Sequence, residues 1–148
     1  MDCCNFSEIS KFQKISCPSC NQQSSFKIKN NTLKHLLKLE KLQVIANTTY
    51  YFCSTSNCNI VYFSKERNSY FTKEDVQVKV FSKDEGEEIP ICYCFGWSRK
   101  KIKEAIKNKI NPMKEIEKNV RKGICHCEVK NPKGRCCLGD VYKFVQNM

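Results

Sequence analysis

The residues of this chain with the clearest potential for chemistry are its cysteines, of which there are 12 among 148 residues. A first group has the spacing C-x2-C followed by C-x4-C and consists of Cys17, Cys20, Cys53 and Cys58. Two thiolates from each short loop together form the closed tetrahedral ligand set of structural zinc sites. Because four sulfur ligands leave no position for water, the pattern predicts structural rather than catalytic zinc. The alternatives are free buried cysteines at chance spacing and a redox dithiol at Cys17 and Cys20, although no thioredoxin-like strand and helix surround that pair.

A second group of cysteines lies in the last 60 residues, at Cys92, Cys94, Cys125, Cys127, Cys136 and Cys137. Two thiolates one residue apart, as in Cys92-Tyr-Cys94, can bind a single iron, and the second iron of a [2Fe–2S] cluster then needs two sulfur atoms from elsewhere. A Rieske-type cluster would need two histidines on one iron. His126 is the only histidine near these cysteines, since His35 lies in the first half, so we reject that type.

Composition limits the classes to which the protein can belong. Hydrophobic residues make up 41% of the chain, with 5 Gly and 4 Pro, which indicates a globular protein of one compact domain or two small ones. No stretch approaches the ~20 apolar residues of a membrane span, and residues 1–14 lack the apolar core of a secretory signal. We therefore expect no membrane insertion, a cytoplasmic location and cysteines that are metal ligands rather than disulfides. The sequence has no Ser/His/Asp array, no paired carboxylates in an apolar setting and no phosphate-binding glycine loop, so an enzyme is not expected.

Charge divides the chain into two parts. The net charge is +11, but residues 1–88 carry 12 Lys/Arg against 10 Asp/Glu, whereas residues 89–148 carry 14 against 5. The polar, acidic run at residues 83–88 resembles a linker. We therefore predict two subdomains, residues 1–88 and residues 89–148. The basic surface of the second could steer an acidic redox partner.

The elements that must position the cysteines differ between the two halves. Residues 48–52 and 60–63 are β-branched and aromatic runs on either side of the second zinc loop, which predicts a hairpin. Alternation over residues 76–81 predicts another strand, and leucines on one face predict a helix over residues 32–41.

In the second half, Ser98 is expected to cap a helix whose apolar residues are Ile102, Ala105, Ile106 and Ile110. Asn111 and Pro112 begin the next helix, which ends at Gly123, and a last helix runs over residues 138–145.

The fold class predicted from these patterns is α+β. A small β subdomain like a zinc ribbon is followed by a small helical subdomain, which is too small to be stable without a cluster or another staple.

Residues 92–106 (CYCFGWSRKKIKEAI) resemble the start of bacterioferritin-associated ferredoxins, whose helical fold binds a [2Fe–2S] cluster. The whole chain is more similar to the N-terminal domain of CopZ-type copper chaperones. The similar stretches are CPSC at 17–20, YYFCSTSNCNIVYF at 50–63, ICYCFG at 91–96 and NPKGRCCLGD at 131–140.

This resemblance implies one zinc ion and one [2Fe–2S] cluster in adjacent subdomains, and a role in intracellular copper handling in which the cluster passes one electron. Cys92 and Cys94 match the family's cluster ligands. Cys127 and Cys137 are preferred as the other two, because Cys137 directly precedes the last helix, while Cys125 and Cys136 remain alternatives. Full-length chaperones of this type carry a second domain with an M-x-C-x-x-C copper site, and these 148 residues contain no such motif.

Two further functions compete with electron transfer. Zinc ribbons often bind nucleic acids or proteins, and the aromatic rings of Tyr50, Tyr51, Tyr62 and Phe63 could stack on bases. We favour packing of these rings in the core and therefore do not expect nucleic acid as the partner. A thiol-based metal storage or sensing protein is the other alternative, since adjacent thiols at Cys3 and Cys4 could capture a soft ion such as Cu(I).

Overall fold

Short antiparallel strands connected by cysteine-containing loops build the first half of the chain. A computed structural model describes residues 14–148, so Cys3 and Cys4 lie outside the described residues. The strands of this half are β1 (Ile15–Ser16), β2 (Gln23–Ser24), β3 (Lys27–Ile28), β4 (Tyr50–Phe52), β5 (Ile60–Ser64) and β6 (Tyr70–Thr72). β1 and β2 pair with each other, and β3 to β6 form a four-stranded sheet in that order.

Aromatic rings form the core of this sheet. The side chains of Tyr50, Tyr51, Tyr62 and Phe63 are each 1% exposed or less. Tyr51 and Phe63 are register partners on neighbouring strands, and their rings stack at 5.9 Å between centroids. Such cross-strand aromatic pairs are a main source of stability in a small sheet. The predicted hairpin and the core role of these rings are confirmed, and the buried rings are not accessible for stacking on bases.

Two predicted elements of the first half are wrong in part. Helix α1 covers only Asn30–Leu36, because Leu37 is buried in an extended conformation and bridges to Val76; a 3₁₀ helix then follows over Leu39–Val44. The strand predicted over residues 76–81 does not form. Val76 makes that single bridge, and the chain then turns, because the Asp84 carboxylate accepts a hydrogen bond from the Val80 backbone N–H at 2.8 Å.

The second half is helical apart from one two-stranded hairpin, β7 (Pro90–Cys92) with β8 (Trp97–Ser98). Its helices are α2 (Arg99–Lys107), α3 (Pro112–Arg121), α4 (Cys127–Lys130) and α5 (Leu138–Gln146). The predicted caps are present. The Ser98 hydroxyl accepts a hydrogen bond from the Lys101 backbone N–H at 3.2 Å, and the Asn111 side chain accepts one from the Met113 backbone N–H at 3.0 Å. These bonds satisfy N–H groups that have no partner within the helix.

The apolar face of α2 is narrower than predicted. Ile102 and Ala105 are buried, whereas Ile106 is 36% and Ile110 is 49% exposed. The reason is that α2 ends at Lys107, and Lys109 adopts a left-handed conformation with φ of 61°. Ile110 therefore lies in the turn before α3 and points away from the core.

Residues 83–88, predicted as a linker, follow a turn that contacts both halves. The Arg99 guanidinium, at the start of α2, donates to the Phe81 carbonyl oxygen at 2.8 Å and lies 4.5 Å from the centre of the Phe81 ring. The Tyr93 hydroxyl donates to the Lys79 carbonyl oxygen at 2.5 Å and accepts from the Phe81 N–H at 3.0 Å. We call residues 79–84 the bridging turn.

A second connection joins α1 to the region around α4. The Thr32 hydroxyl donates to the Glu128 carbonyl oxygen at 2.6 Å, and the Lys29 ammonium lies 3.0 Å from the Glu128 carboxylate. The Tyr62 hydroxyl donates to the Pro132 carbonyl oxygen, and the Arg135 guanidinium lies 3.6 Å from the centre of the Phe26 ring. The sheet and the helices therefore pack closely against each other.

The architecture is α+β, as predicted. Within residues 14–148, no helix has both the length and the apolar character needed to cross a bilayer.

Candidate metal centres

Two hairpins present the first group of cysteines. β1 and β2 flank the loop that carries Cys17 and Cys20, and β4 and β5 flank the loop that carries Cys53 and Cys58. The first loop is closed by a hydrogen bond from the Asn21 N–H to the Cys17 carbonyl oxygen at 2.9 Å. The second is closed by one from the Cys58 N–H to the Thr55 carbonyl oxygen at 3.2 Å. Each loop thus directs two sulfur atoms toward the other.

The sulfur atoms of this group have the spacing of a tetrahedral zinc site. The Sγ atoms of Cys17 and Cys58 are 3.9 Å apart, and those of Cys20 and Cys53 are 3.7 Å apart. All four lie within 4.8 Å of one another. A tetrahedron with metal–sulfur bonds of about 2.3 Å has edges of about 3.8 Å, so one zinc ion fits among these atoms.

Burial and hydrogen bonding affect these thiols unequally. Cys17 is fully buried, and burial raises the pKa of its thiol to about 12. Burial also raises the pKa of Cys53, although the nearby Lys83 ammonium acts to lower it. At Cys20 burial likewise opposes ionisation, but hydrogen bonds from the Thr55 hydroxyl and neighbouring groups prevail and lower the pKa to about 6. Cys20 thus differs from Cys17 and Cys53, whose pKa values are raised, because it accepts these hydrogen bonds.

The second group of cysteines is gathered by three different elements. Cys92 and Cys94 lie at the end of β7 and in the loop after it, Cys127 begins α4, and Cys137 immediately precedes α5. The sulfur atoms of Cys94 and Cys127 are 3.5 Å apart, and the His126 backbone N–H donates to the Cys94 sulfur at 3.0 Å. Cys94 and Cys127 are thus in contact, and the thiols of Cys92, Cys136 and Cys137 interact with the same set.

Interactions among the thiols of this second group shift their pKa values in opposite directions. Bonds from Cys127 and Cys92 lower the pKa of the Cys137 thiol to about 4. Hydrogen bonding raises the pKa of the Cys92 thiol, chiefly through Cys137, and the pKa of the Cys127 thiol, chiefly through Cys136. The thiol of Cys94 has a lowered pKa, mainly because of its bond with Cys127. Since Cys136 also contacts Cys127, it stays an alternative ligand.

The two groups of cysteines differ in how closely their sulfur atoms are gathered. Among residues 14–148, only the first group has three or more potential ligand atoms all within 4.8 Å of one another. In the second group Cys92, Cys127 and Cys137 are at most 1% exposed, and Cys94 is half-buried. Cysteine thiolates are the ligands of [2Fe–2S] clusters, so the donor set of this group is of the kind that such a cluster needs. The ligand assignment itself stays a prediction.

Several residues at these centres carry no signal in the sequence. Thr55 lies inside the second zinc loop and donates to Cys20, but a threonine between two cysteines is not distinctive. Lys83 donates to two backbone carbonyl oxygens of that loop, although its place in a charged run indicates a solvent-exposed linker. His126 acts on Cys94 through its backbone. His35 is exposed on α1, as expected from its position.

Comparison with known proteins finds similarity to a known family in the first half of the chain. Residues 14–77 match the CopZ family model described as a zinc binding domain. The chain is 35% identical to the copper chaperone CopZ of Archaeoglobus fulgidus over 88 residues, which are 60% of this chain and 42% of that protein. The match therefore spans less than half the length of this curated relative.

A solved structure extends the similarity to most of the chain. The crystal structure of the Archaeoglobus fulgidus CopZ N-terminal domain superposes with a TM-score of 0.73 at 28% identity. The alignment covers 88% of this chain and 98% of that domain. The similarity of the second half to bacterioferritin-associated ferredoxins stays a prediction. Residues 14–77 are thus similar to the CopZ-type zinc binding domain, and the chain has a fold like that of the CopZ N-terminal domain.

Proposed function

We propose that this protein is a cytoplasmic, non-catalytic metal-handling protein with a structural zinc ion and a [2Fe–2S] cluster, acting as a one-electron carrier or redox partner in copper handling. The observation that carries the proposal is the presence of two groups of cysteines on a CopZ-type fold, one of them with four sulfur atoms within 4.8 Å of one another. In this proposal Cys17, Cys20, Cys53 and Cys58 bind zinc. Cys92, Cys94, Cys127 and Cys137 bind the cluster, with Cys125 and Cys136 as alternatives.

The zinc ion has a structural role in this proposal. Four sulfur ligands fill its coordination sphere, and three of the four cysteines are buried. The loops between the ligands are only two and four residues long and are closed by their own hydrogen bonds. Zinc therefore fastens β1, β2, β4 and β5 together in a half of the chain whose strands are two to five residues long.

A bound [2Fe–2S] cluster supplies one-electron chemistry, and the chain controls the environment of its ligands. The His126 backbone N–H reduces the electron density on the Cys94 sulfur by donating a hydrogen bond to it. Burial of Cys92, Cys127 and Cys137 excludes water from most of the sulfur atoms. Among the four preferred ligands, the half-buried Cys94 is the most exposed, and we assign it to the edge at which an electron partner would approach.

The expected partner is a copper-handling or redox protein with an acidic surface, and copper is a cargo rather than a resident ion. Helix α2 carries Arg99, Lys100, Lys101, Lys103 and Lys107 against a single Glu104. The Lys101 ammonium lies beside Gly96, in the loop that follows Cys94: a Cβ atom placed on Gly96 would be 3.7 Å from it. A basic surface beside the cluster ligands raises the encounter rate with an acidic partner.

The experiment that tests the proposal is anaerobic purification followed by analysis of iron, zinc and sulfide, with visible and EPR spectra. We expect two irons and one zinc per chain and an EPR signal that requires reduction. A colourless protein with two zinc ions that takes up no iron after reconstitution with iron and sulfide would refute the cluster. Zinc below one equivalent in a folded protein would refute the first site.

Serine substitutions test the ligand assignment. Cys127→Ser and Cys137→Ser should lose or strongly alter the cluster spectrum, whereas Cys125→Ser and Cys136→Ser are the matched controls in the same two loops. If Cys136→Ser perturbs the spectrum more than Cys137→Ser does, the ligand is Cys136. Cys58→Ser should release zinc and leave iron content per folded chain unchanged.

A further inference from the structure

Lys83 is a cation enclosed beside the zinc loop. Lys83 is only 7% exposed. Its ammonium donates hydrogen bonds to the Thr55 carbonyl oxygen at 2.7 Å and to the Cys58 carbonyl oxygen at 3.1 Å. Both acceptors lie in the loop between the ligands Cys53 and Cys58. Lys83 therefore holds this loop from outside while placing a positive charge next to its thiols.

No carboxylate in the part of the chain that the structure describes forms an ion pair with this ammonium. The carboxylate of Asp84, the neighbour of Lys83, is 3.2 Å from the Lys73 ammonium instead. An enclosed ammonium whose partners are only carbonyl dipoles is unfavourable unless an anion is near. A zinc ion with four thiolates has a formal charge of −2 and is such an anion.

We propose that Lys83 is a positioning and charge-balancing residue of the zinc site, contributing the cation that offsets the four thiolates and fixing the loop between Cys53 and Cys58. The inference rests on the zinc site proposed above. It concerns a residue outside the stretch 14–77 that matches the zinc-binding family.

The second half of the chain holds Lys83 in place. Lys83 lies in the bridging turn, residues 79–84, whose backbone is bound by the Tyr93 hydroxyl and the Arg99 guanidinium. Tyr93 stands between the predicted cluster ligands Cys92 and Cys94. The zinc site thus receives its balancing charge through a turn that is anchored beside the other metal centre.

Zinc release into an excess of a chromogenic chelator tests the inference on the full chain at fixed pH. Loss of residues that support metal ligands typically changes metal affinity by about 10- to 100-fold, so we expect Lys83→Met to accelerate zinc release at least about tenfold. Arg67→Met is the matched control. The Arg67 guanidinium donates to the Asn21 side chain at 3.0 Å and to the Cys17 carbonyl oxygen at 3.5 Å. It is exposed, however, so zinc release should change by less than about fivefold.

A spectroscopic readout separates charge from simple tethering of the loop. In cobalt-substituted protein, loss of a nearby cation raises the energy of the thiolate electrons. The sulfur-to-cobalt charge-transfer bands of Lys83→Met and Lys83→Gln should therefore move to longer wavelength, while those of Lys83→Arg should not. Lys83→Gln keeps a hydrogen-bond donor without the charge, and it decides the question if Lys83→Met fails to fold.

The outcomes distinguish this inference from the proposed function. A wild-type protein that binds no zinc refutes the zinc site itself. If zinc binds but Lys83→Gln releases it at the wild-type rate with an unshifted cobalt spectrum, Lys83 is not a charge-balancing residue and only the inference fails. Equal acceleration by Lys83→Met and Arg67→Met would likewise reduce Lys83 to an ordinary loop contact.

Discussion

Gly134 is the position at which one added methyl group tests how closely the two halves of the chain fit. Its backbone has φ of +67°, and a Cβ atom placed on it would be 2.8 Å from the Thr32 hydroxyl oxygen and 3.2 Å from the Thr32 methyl carbon. Thr32 cannot move away freely, because its hydroxyl donates to the Glu128 carbonyl oxygen at 2.6 Å and the residue is 1% exposed. Gly134→Ala therefore meets both a strained backbone and a fixed neighbour.

The expected cost follows from these two contributions. A non-glycine residue in the left-handed region costs about 1–2 kcal/mol. Displacing Thr32 weakens a buried hydrogen bond, and leaving its partner carbonyl without a donor costs about 1–3 kcal/mol. Since partial relaxation reduces their sum, we expect Gly134→Ala to lower the free energy of unfolding by about 2–4 kcal/mol, a large effect for a domain of this size.

Chemical denaturation of the zinc-loaded protein at constant free zinc measures this change. Gly123→Ala is the control, because Gly123 has φ of +72° but no atom within 4 Å of its added Cβ, so it should cost only the backbone contribution of about 1–2 kcal/mol. In a Thr32→Ala background, the cost of Gly134→Ala should fall to that same range. Equal costs for Gly134→Ala and Gly123→Ala, or no change in the Thr32→Ala background, would refute the reasoning.

The remaining predictions concern three other buried contacts, each measured as the free energy of unfolding. Tyr62→Phe removes the donor to the Pro132 carbonyl oxygen and should cost about 1–3 kcal/mol. Ile102→Ala empties a fully buried position among the helices and should cost about 2–5 kcal/mol. Burial of Asp84 acts to raise its pKa, but the Val80 N–H and the Lys73 ammonium outweigh burial and lower it. A carboxylate with a depressed folded pKa stabilises above its unfolded pKa of about 3.9, so Asp84→Asn should cost about 1 kcal/mol at pH 7 and progressively less as the pH falls through the folded pKa.

Matched controls exist for these three substitutions at exposed positions. Tyr70→Phe, Ile124→Ala and Glu117→Gln alter side chains that are about half exposed and should each change the free energy of unfolding by less than about 0.5 kcal/mol. A buried variant no more destabilising than its exposed control would contradict the corresponding prediction. For Asp84→Asn, a cost that is constant from pH 7 to acid would show that its charge is not what stabilises the turn.

Local signals allowed much of the fold to be predicted. Ser98, Asn111 and Pro112 carry capping chemistry that acts within one turn of helix, so the starts of α2 and α3 could be predicted from neighbouring residues alone. The hairpin of β4 and β5 was predictable because aromatic and β-branched runs flank a short loop. The same local reasoning failed over residues 76–81. There the alternating pattern is real, but a long-range contact with Leu37 and the Asp84 carboxylate bend the chain.

For the candidate metal centres, too, the local features could be predicted from the sequence and the long-range contacts could not. Cysteine spacing within each loop is a local property, so the compact group of four thiols could be predicted from the sequence. The partners of Cys92 and Cys94 depend on how α4 and α5 pack against β7, and spacing alone leaves Cys125 and Cys136 open. The role of Lys83 could not be predicted, because its burial results from long-range contacts with residues 55 and 58. Its neighbours in sequence are charged and indicate an exposed segment instead.

The hydrogen bond between Thr32 and Glu128 joins residues that are 96 positions apart, and it has a consequence for synthesis on the ribosome. The strands emerge first, but the Phe26 ring is covered by Arg135 and the Tyr62 hydroxyl by Pro132, both of which emerge near the end. Until then the nascent sheet presents an uncovered aromatic face. Long-range contacts of this kind slow folding and leave apolar surface open to aggregation. We therefore expect a chain interrupted before residue 131 to aggregate more readily than the full chain.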